Sequence, residues 1–204
     1  LGDGVEPLEV DLNQRTLGLE PERRFSAVVM LVKDTTMNAA RFAQRGGAAY
    51  LDISTAIFEI GPEVSLHAQN PTAAPMLLSS NWLAGASTWA AGHFARQFSR
   101  VDTVRVAALL DEHDIGGSAA EADYVRQTGA GPSGLVLRHG RWQWTTGSDA
   151  VGEFVDVGGR RQTSTVFANL DLLSIFAELD PTDASFEFAV GETSQRRAGG
   201  SYST

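Results

Sequence analysis

Ala27-Val28-Val29-Met30-Leu31-Val32 and, one helix later, Ala48-Ala49-Tyr50-Leu51-Asp52-Ile53 are the residues whose reading decides the fold. The first stretch is an unbroken apolar run. Such a run predicts a strand buried on both faces better than one half in water. Between the two, Asp34-Thr35-Thr36 offers a cap for a helix over Asn38 to Gln44. Arg45-Gly46-Gly47 ends that helix, because glycine takes the left-handed conformation that closes one. Strand, helix and strand make the βαβ unit of a parallel sheet. Met76-Leu77-Leu78 reads as a third short strand, reached through a helix over Val64–Asn70. Ligands of such sheets sit beyond the carboxyl ends of the strands. That rule puts Val32-Lys33-Asp34, Ser54-Thr55 and Ser79-Ser80-Asn81 on one edge.

Outward from this unit, Leu8–Leu12 reads as a short strand with nothing before it. The chain starts at Leu1 rather than Met, and the reading expects further sequence upstream. Downstream, Asn81-Trp82-Leu83-Ala84-Gly85 opens a small-residue helix running to about Phe98. Its start could leave backbone N–H groups open to a ligand, or Gly85 and Ala86 could serve close helix packing. Trp82 and Trp89 read as core or interface residues. After Ser99 the pattern changes. Strands are expected over Asp102–Leu110, Leu135–Arg138, Arg141–Thr145, Phe154–Val157, Gln162–Phe167 and Ser185–Val190. Helices are expected over Gly117–Gln127 and Leu170–Leu179. His139-Gly140 is a two-residue hairpin signal, and Gly158-Gly159 marks a second hairpin. Hairpins with two helices predict an antiparallel sheet covered on one face. The polar tail from Glu192 is expected to fray.

Composition narrows the function. The 204 residues carry a net charge of −9, which argues against a nucleic-acid backbone or an anionic membrane as partner. The chain has no cysteine, which removes disulfides, thiolate metal sites and thiol catalysis. Its four histidines form no HxxxH or HxH pair, so a metal site is not expected. No apolar run reaches membrane-spanning length and no signal-like amino terminus is visible, so a cytoplasmic location is the default expectation.

No G-x-G-x-x-G, P-loop or nucleophile elbow occurs. Lys33 is either a polar group facing a ligand or a solvated lysine before a helix. Ser54 and Thr55 could hydrogen-bond a ribose or an amide, or cap a following turn. Asp111-Glu112-His113-Asp114 is the densest polar cluster, open to acid–base work or to a plain loop. Arg160-Arg161 could clamp a carboxylate or face solvent from a turn. His113 and Arg160 are the candidate substrate-binding residues.

The order VVMLV, helix, GGAAYLDIST, then PMLLSSNWLAGASTWAA resembles the later half of the nucleotide-binding domain of saccharopine dehydrogenase-like oxidoreductases. That superfamily shows a Y-x-D-x-S strand where Tyr50, Asp52 and Ser54 stand. The resemblance covers roughly residues 25–95. It implies a partial Rossmann-like parallel α/β sheet over 1–98. An α+β substrate and dimerisation domain with a mainly antiparallel sheet would follow over 99–191, with a tail over 192–204. It implies NAD or NADP as cofactor, with Val32, Lys33, Ser54, Thr55, Asn81 and Gly85 at the cofactor and hydride transfer in a crevice between the two domains. A homodimer through the second-domain sheet is also implied. The family's amino-terminal glycine-rich loop has no counterpart here, and no residue matches its catalytic groups, so no substrate is implied. A non-catalytic pairing domain and a small-molecule sensor are the alternatives.

Overall fold

The computed structural model describes residues 4–110, 125 and 134–190. The chain divides into two compact units, Leu1–Ser80 and Asn81–Thr204. The expected Gly117–Gln127 helix, the Asp111–Asp114 cluster with His113, and the tail lie outside the described residues, Val125 apart.

The first unit runs β1 (Ala27–Met30), α1 (Asn38–Gly46), β2 (Ala49–Asp52), α2 (Gly61–Gln69) and β3 (Met76–Leu78). The three strands form a parallel sheet in the order β1-β2-β3. Val28 lies beside Tyr50 and Tyr50 beside Met76; Met30, Asp52 and Leu78 form the next row. Ala39, Ala40 and Ala43 bring α1 close onto Met30 and Tyr50, and Leu66 of α2 joins the same core. Asp34 caps α1 by accepting the Ala39 and Ala40 N–H groups at 2.9 and 3.2 Å. Gly47 closes it at φ 70°, as its sequence suggests.

Two expectations fail in this unit. β1 is covered on one face only: Val29 and its neighbour-but-one Leu77 are each 55% exposed. Strands taken in the order 1-2-3 with crossovers of one hand put both helices on the same side. The opposite face therefore receives neither helix, however apolar its residues. Leu8–Leu12 forms no strand either. The Asp11 carboxylate accepts the Asn13 N–H at 2.9 Å and the Gln14 amide at 3.0 Å, and this local turn competes with a ladder.

The second unit opens on a 3-10 turn (Trp82–Gly85) and continues with α3 (Ala86–Ala95), β4 (Thr103–Leu110), β5 (Gly134–Arg138) and β6 (Arg141–Thr145). A second 3-10 turn (Gly147–Ala150), β7 (Val151–Val155), β8 (Arg161–Val166), α4 (Leu170–Leu179) and β9 (Asp183–Val190) complete it. In the six-stranded sheet β5 and β8 follow one another along one edge of β9, at Ala184–Ser185 and Glu187–Phe188, and carry β6 and β7 outside them, while β4 pairs the whole of the other edge of β9. All pairs are antiparallel except β4 with β9. His139 and Gly140 turn the first hairpin at φ 50° and 71°, the paired positive values that a two-residue turn requires.

Trp82 is the hub of this core. Its ring lies 4.9 Å from Phe167, 5.5 Å from Phe186 and 5.2 Å from Phe188. Trp89 is not core: it is 80% exposed. The expected Asn81–Phe98 helix is broken by positive φ at Ala84 and Gly85, so α3 begins at Ala86 and turns Trp89 outward. α3 packs with α4, which moves the boundary from residue 98 to residue 80.

Gly134 has no room for a side chain. A Cβ there would stand 2.5 Å from Val166 Cγ1 and 2.8 Å from the Val166 carbonyl oxygen. Gly134→Ala is expected to lower stability by about 1–3 kcal/mol, the usual cost of overpacking, read as a shift in urea midpoint at unchanged slope.

Candidate functional site

The carboxyl ends of β1 and β2 carry a desolvated polar cluster built around Asp52, the last residue of β2. Asp52 is buried, and Oδ1 accepts the Ser54 N–H at 2.6 Å, the Ser54 hydroxyl at 2.8 Å and the Thr55 N–H at 3.1 Å. Oδ2 accepts the Thr55 hydroxyl at 2.7 Å and the Tyr50 hydroxyl at 3.1 Å. Lys33, three residues past β1, donates to Thr55 Oγ1 at 2.9 Å and to Glu63 Oε1 at 3.4 Å. Glu59 Oε2 stands 3.9 Å from the same ammonium. Glu63, in the first turn of α2, is buried, and its Oε2 has no hydrogen-bond partner.

The cluster is strongly anionic for its burial. Asp34, Asp52 and Glu63 are all buried, and Lys33 is the cation among them. Burial opposes ionisation of Asp52, yet the donors from Ser54, Thr55 and Tyr50 outweigh it and hold the carboxyl below the ordinary aspartate range. The Tyr50 hydroxyl is pushed far the other way, first by burial, then by the charges of Asp52, Asp34 and Glu63. It stays a phenol and a donor.

The expected site residues distribute unevenly. Lys33, Ser54 and Thr55 meet at one place, but their polar atoms bind one another and the carboxylates of Asp52 and Glu63. Val32 is exposed beyond the end of β1. Asn81 and Gly85 belong to the second unit. Asn81 Nδ2 donates to Ser174 Oγ at 3.4 Å, and Gly85 holds φ 80° before α3. Arg160 binds Asp156 within its own turn, Nε to Oδ2 at 3.2 Å, and faces solvent. Glu63 and Glu59 were missed. Their signal was present: carboxylates just past a strand end and opening a helix after Gly61-Pro62.

Of the backbone N–H groups expected to stand open before α3, that of Trp82 is already served. Asp171, fully buried in the first turn of α4, accepts the Trp82 N–H at 2.8 Å, the Ser87 hydroxyl, and the Thr88 hydroxyl at 3.3 Å. A carboxylate of the chain itself thus holds the Trp82 N–H, while the first turn of α3 has no side-chain cap. On the sheet, Glu187 is likewise buried and paired with the Arg105 guanidinium and the Ser164 hydroxyl. Among the described residues no group of three histidine or carboxylate side chains is placed to hold a metal ion, and no helix is long and apolar enough to cross a membrane. No protein-family model and no curated protein matches the chain.

Two outcomes are expected here. Asp52 titrates lower folded than unfolded, so its contribution is complete above about pH 4 and is lost as pH falls through the folded value. Asp52→Asn should cost about 3 kcal/mol at neutral pH and flatten the acid limb of stability against pH, measured by urea unfolding. Lys33→Met should cost about 3 kcal/mol by stranding the Glu63 charge, and Lys33→Met with Glu63→Leu should recover most of that loss in a double-mutant cycle.

Proposed function

We propose that this chain is an NAD(P)-dependent oxidoreductase of the saccharopine dehydrogenase-like kind. The observation that carries the reading is the parallel β1-α1-β2-α2-β3 unit with its polar side chains gathered past the carboxyl ends of β1 and β2. Sheets of this topology hold dinucleotides at that edge. The coenzyme supplies the hydride, and the protein binds, orients and excludes water. In this reading Lys33 is the residue at the nicotinamide side. Its ammonium, held by Thr55 and Glu63, is a fixed positive charge able to orient a carbonyl or carboxamide. The sequence has no glycine-rich loop for the pyrophosphate, so these residues alone bind a dinucleotide poorly. The reading includes a homodimer formed through the six-stranded sheet.

One observation favours a second reading, a non-catalytic pairing domain. The polar atoms of Lys33, Ser54 and Thr55 already hold the β1 and β2 ends together. A cluster satisfied in this way can be scaffolding alone.

Fluorescence titration of the whole reading frame with NADH and with NADPH separates the two. The oxidoreductase reading expects saturable quenching by at least one coenzyme, weakened at least tenfold by Lys33→Met, as about 1.4 kcal/mol of lost interaction implies. No quench with either coenzyme leaves the pairing domain.

A further inference from the structure

Among the described residues, the second unit has one sheet edge that nothing defends. β4 is the outermost strand beside β9, and among the described residues its other edge has no partner. Eight residues long, it contains neither proline nor lysine, the residues with which soluble proteins usually blunt such an edge. Its one charge, Arg105, is bound to Glu187 and to the Glu153 carbonyl at 2.5 Å. Alongside that edge runs a groove of about 390 Å³ between β4 and α3, walled by Ala90, Ala91, Phe94 and Phe98 and floored by Val104 and Val106. Phe94, in the last turn of α3, and Phe98, in the turn that follows that helix, are 59% and 66% exposed. An apolar patch beside an open strand is a surface built for association.

We propose that β4 pairs with β4 of a second copy of this chain, antiparallel about a two-fold axis centred on Ala107 and perpendicular to the sheet. This rests on the homodimer stated above, not on hydride transfer, and it names the edge. Side chains opposite one another in a sheet share a face, so the axis must pass through a residue rather than between two. Centring on Arg105 would set two guanidiniums against each other. Centring on Ala107 puts Arg105 against Leu109, Val104 against Leu110 and Val106 against Ala108, with a small side chain where the copies approach most closely. Val106, Ala108 and Leu110 belong to the helix-covered face of the sheet. A perpendicular axis keeps α3 and its copy on that side, so Phe94 and Phe98 of both copies close over the seam. Stable dimers bury about 1,200–2,000 Å² in total. Phenylalanines burying roughly 200 Å² each would supply on the order of 500 Å² from the two rings of each copy, and the strand edges and groove walls would supply the remainder. Such an interface is isologous, the same patch on both partners.

The chain has no cysteine, so one introduced cysteine reports only on a symmetric contact. Light scattering should read twice the single-chain mass. Ala107→Cys should yield a disulfide-linked dimer on mild oxidation, because residues opposite at the axis lie within disulfide reach. Thr163→Cys, exposed on β8, should not. Phe94→Glu with Phe98→Glu should halve the measured mass while the circular dichroism spectrum is unchanged. A single-chain mass for the unaltered protein overturns the proposal, as does a dimer in which Ala107→Cys crosslinks no faster than Thr163→Cys. No coenzyme enters these measurements, so neither result bears on the NADH titration.

Discussion

A carboxylate removed from water has to find donors inside the protein, and at the end of β2 that requirement organises everything near it. Asp52 takes both backbone and hydroxyl donors from Ser54 and Thr55, and a phenol from its own strand. The turn after β2 is thereby pinned. Thr55, held by Asp52, becomes the acceptor that fixes Lys33 beyond β1, and Lys33 in turn balances Glu63 at the start of α2. Strand end, loop and helix start are joined through one chain of charge and hydrogen bonds. Its individual links are strong because solvent is excluded, and each is costly to break for the same reason.

The second unit repeats the device with different residues. Asp171 ties α4 to the turn before α3, and Glu187 ties β9 to β4 and β8. In each case a buried acid is shared between elements far apart in sequence. Apolar packing around Trp82 supplies the bulk of the core, while the acids specify which element meets which. Their placement bears directly on function. Asp171 takes up the Trp82 N–H, whereas the Lys33 cluster leaves one carboxylate oxygen of Glu63 unmatched.

Much of the architecture was legible from local chemistry. The Asp34 cap, the Gly47 stop, the His139-Gly140 turn and the strand–helix–strand order each rest on a backbone preference within a few residues, and each appears where those preferences put it. Leu8–Leu12 misled because alternation says nothing about whether a partner strand is present, and Asp11 offered a closer hydrogen-bonding choice. Trp89, read as core or interface, is not core, because the direction of a helix residue depends on where the helix begins. Positive φ at Ala84 and Gly85 moved that beginning to Ala86.

The sequence by itself determined most of the described elements and the parallel run of β1, β2 and β3, since apolar runs, caps and turn residues act over short distances. Only the tertiary structure decided which face of that sheet is covered, because that follows from the hand of two successive crossovers and not from how apolar each face is. It also decided what Lys33, Ser54 and Thr55 touch. A side chain's partners are set by the elements that fold against it, and Glu63 and Asp171 reach theirs across separations of 30 and up to 89 residues.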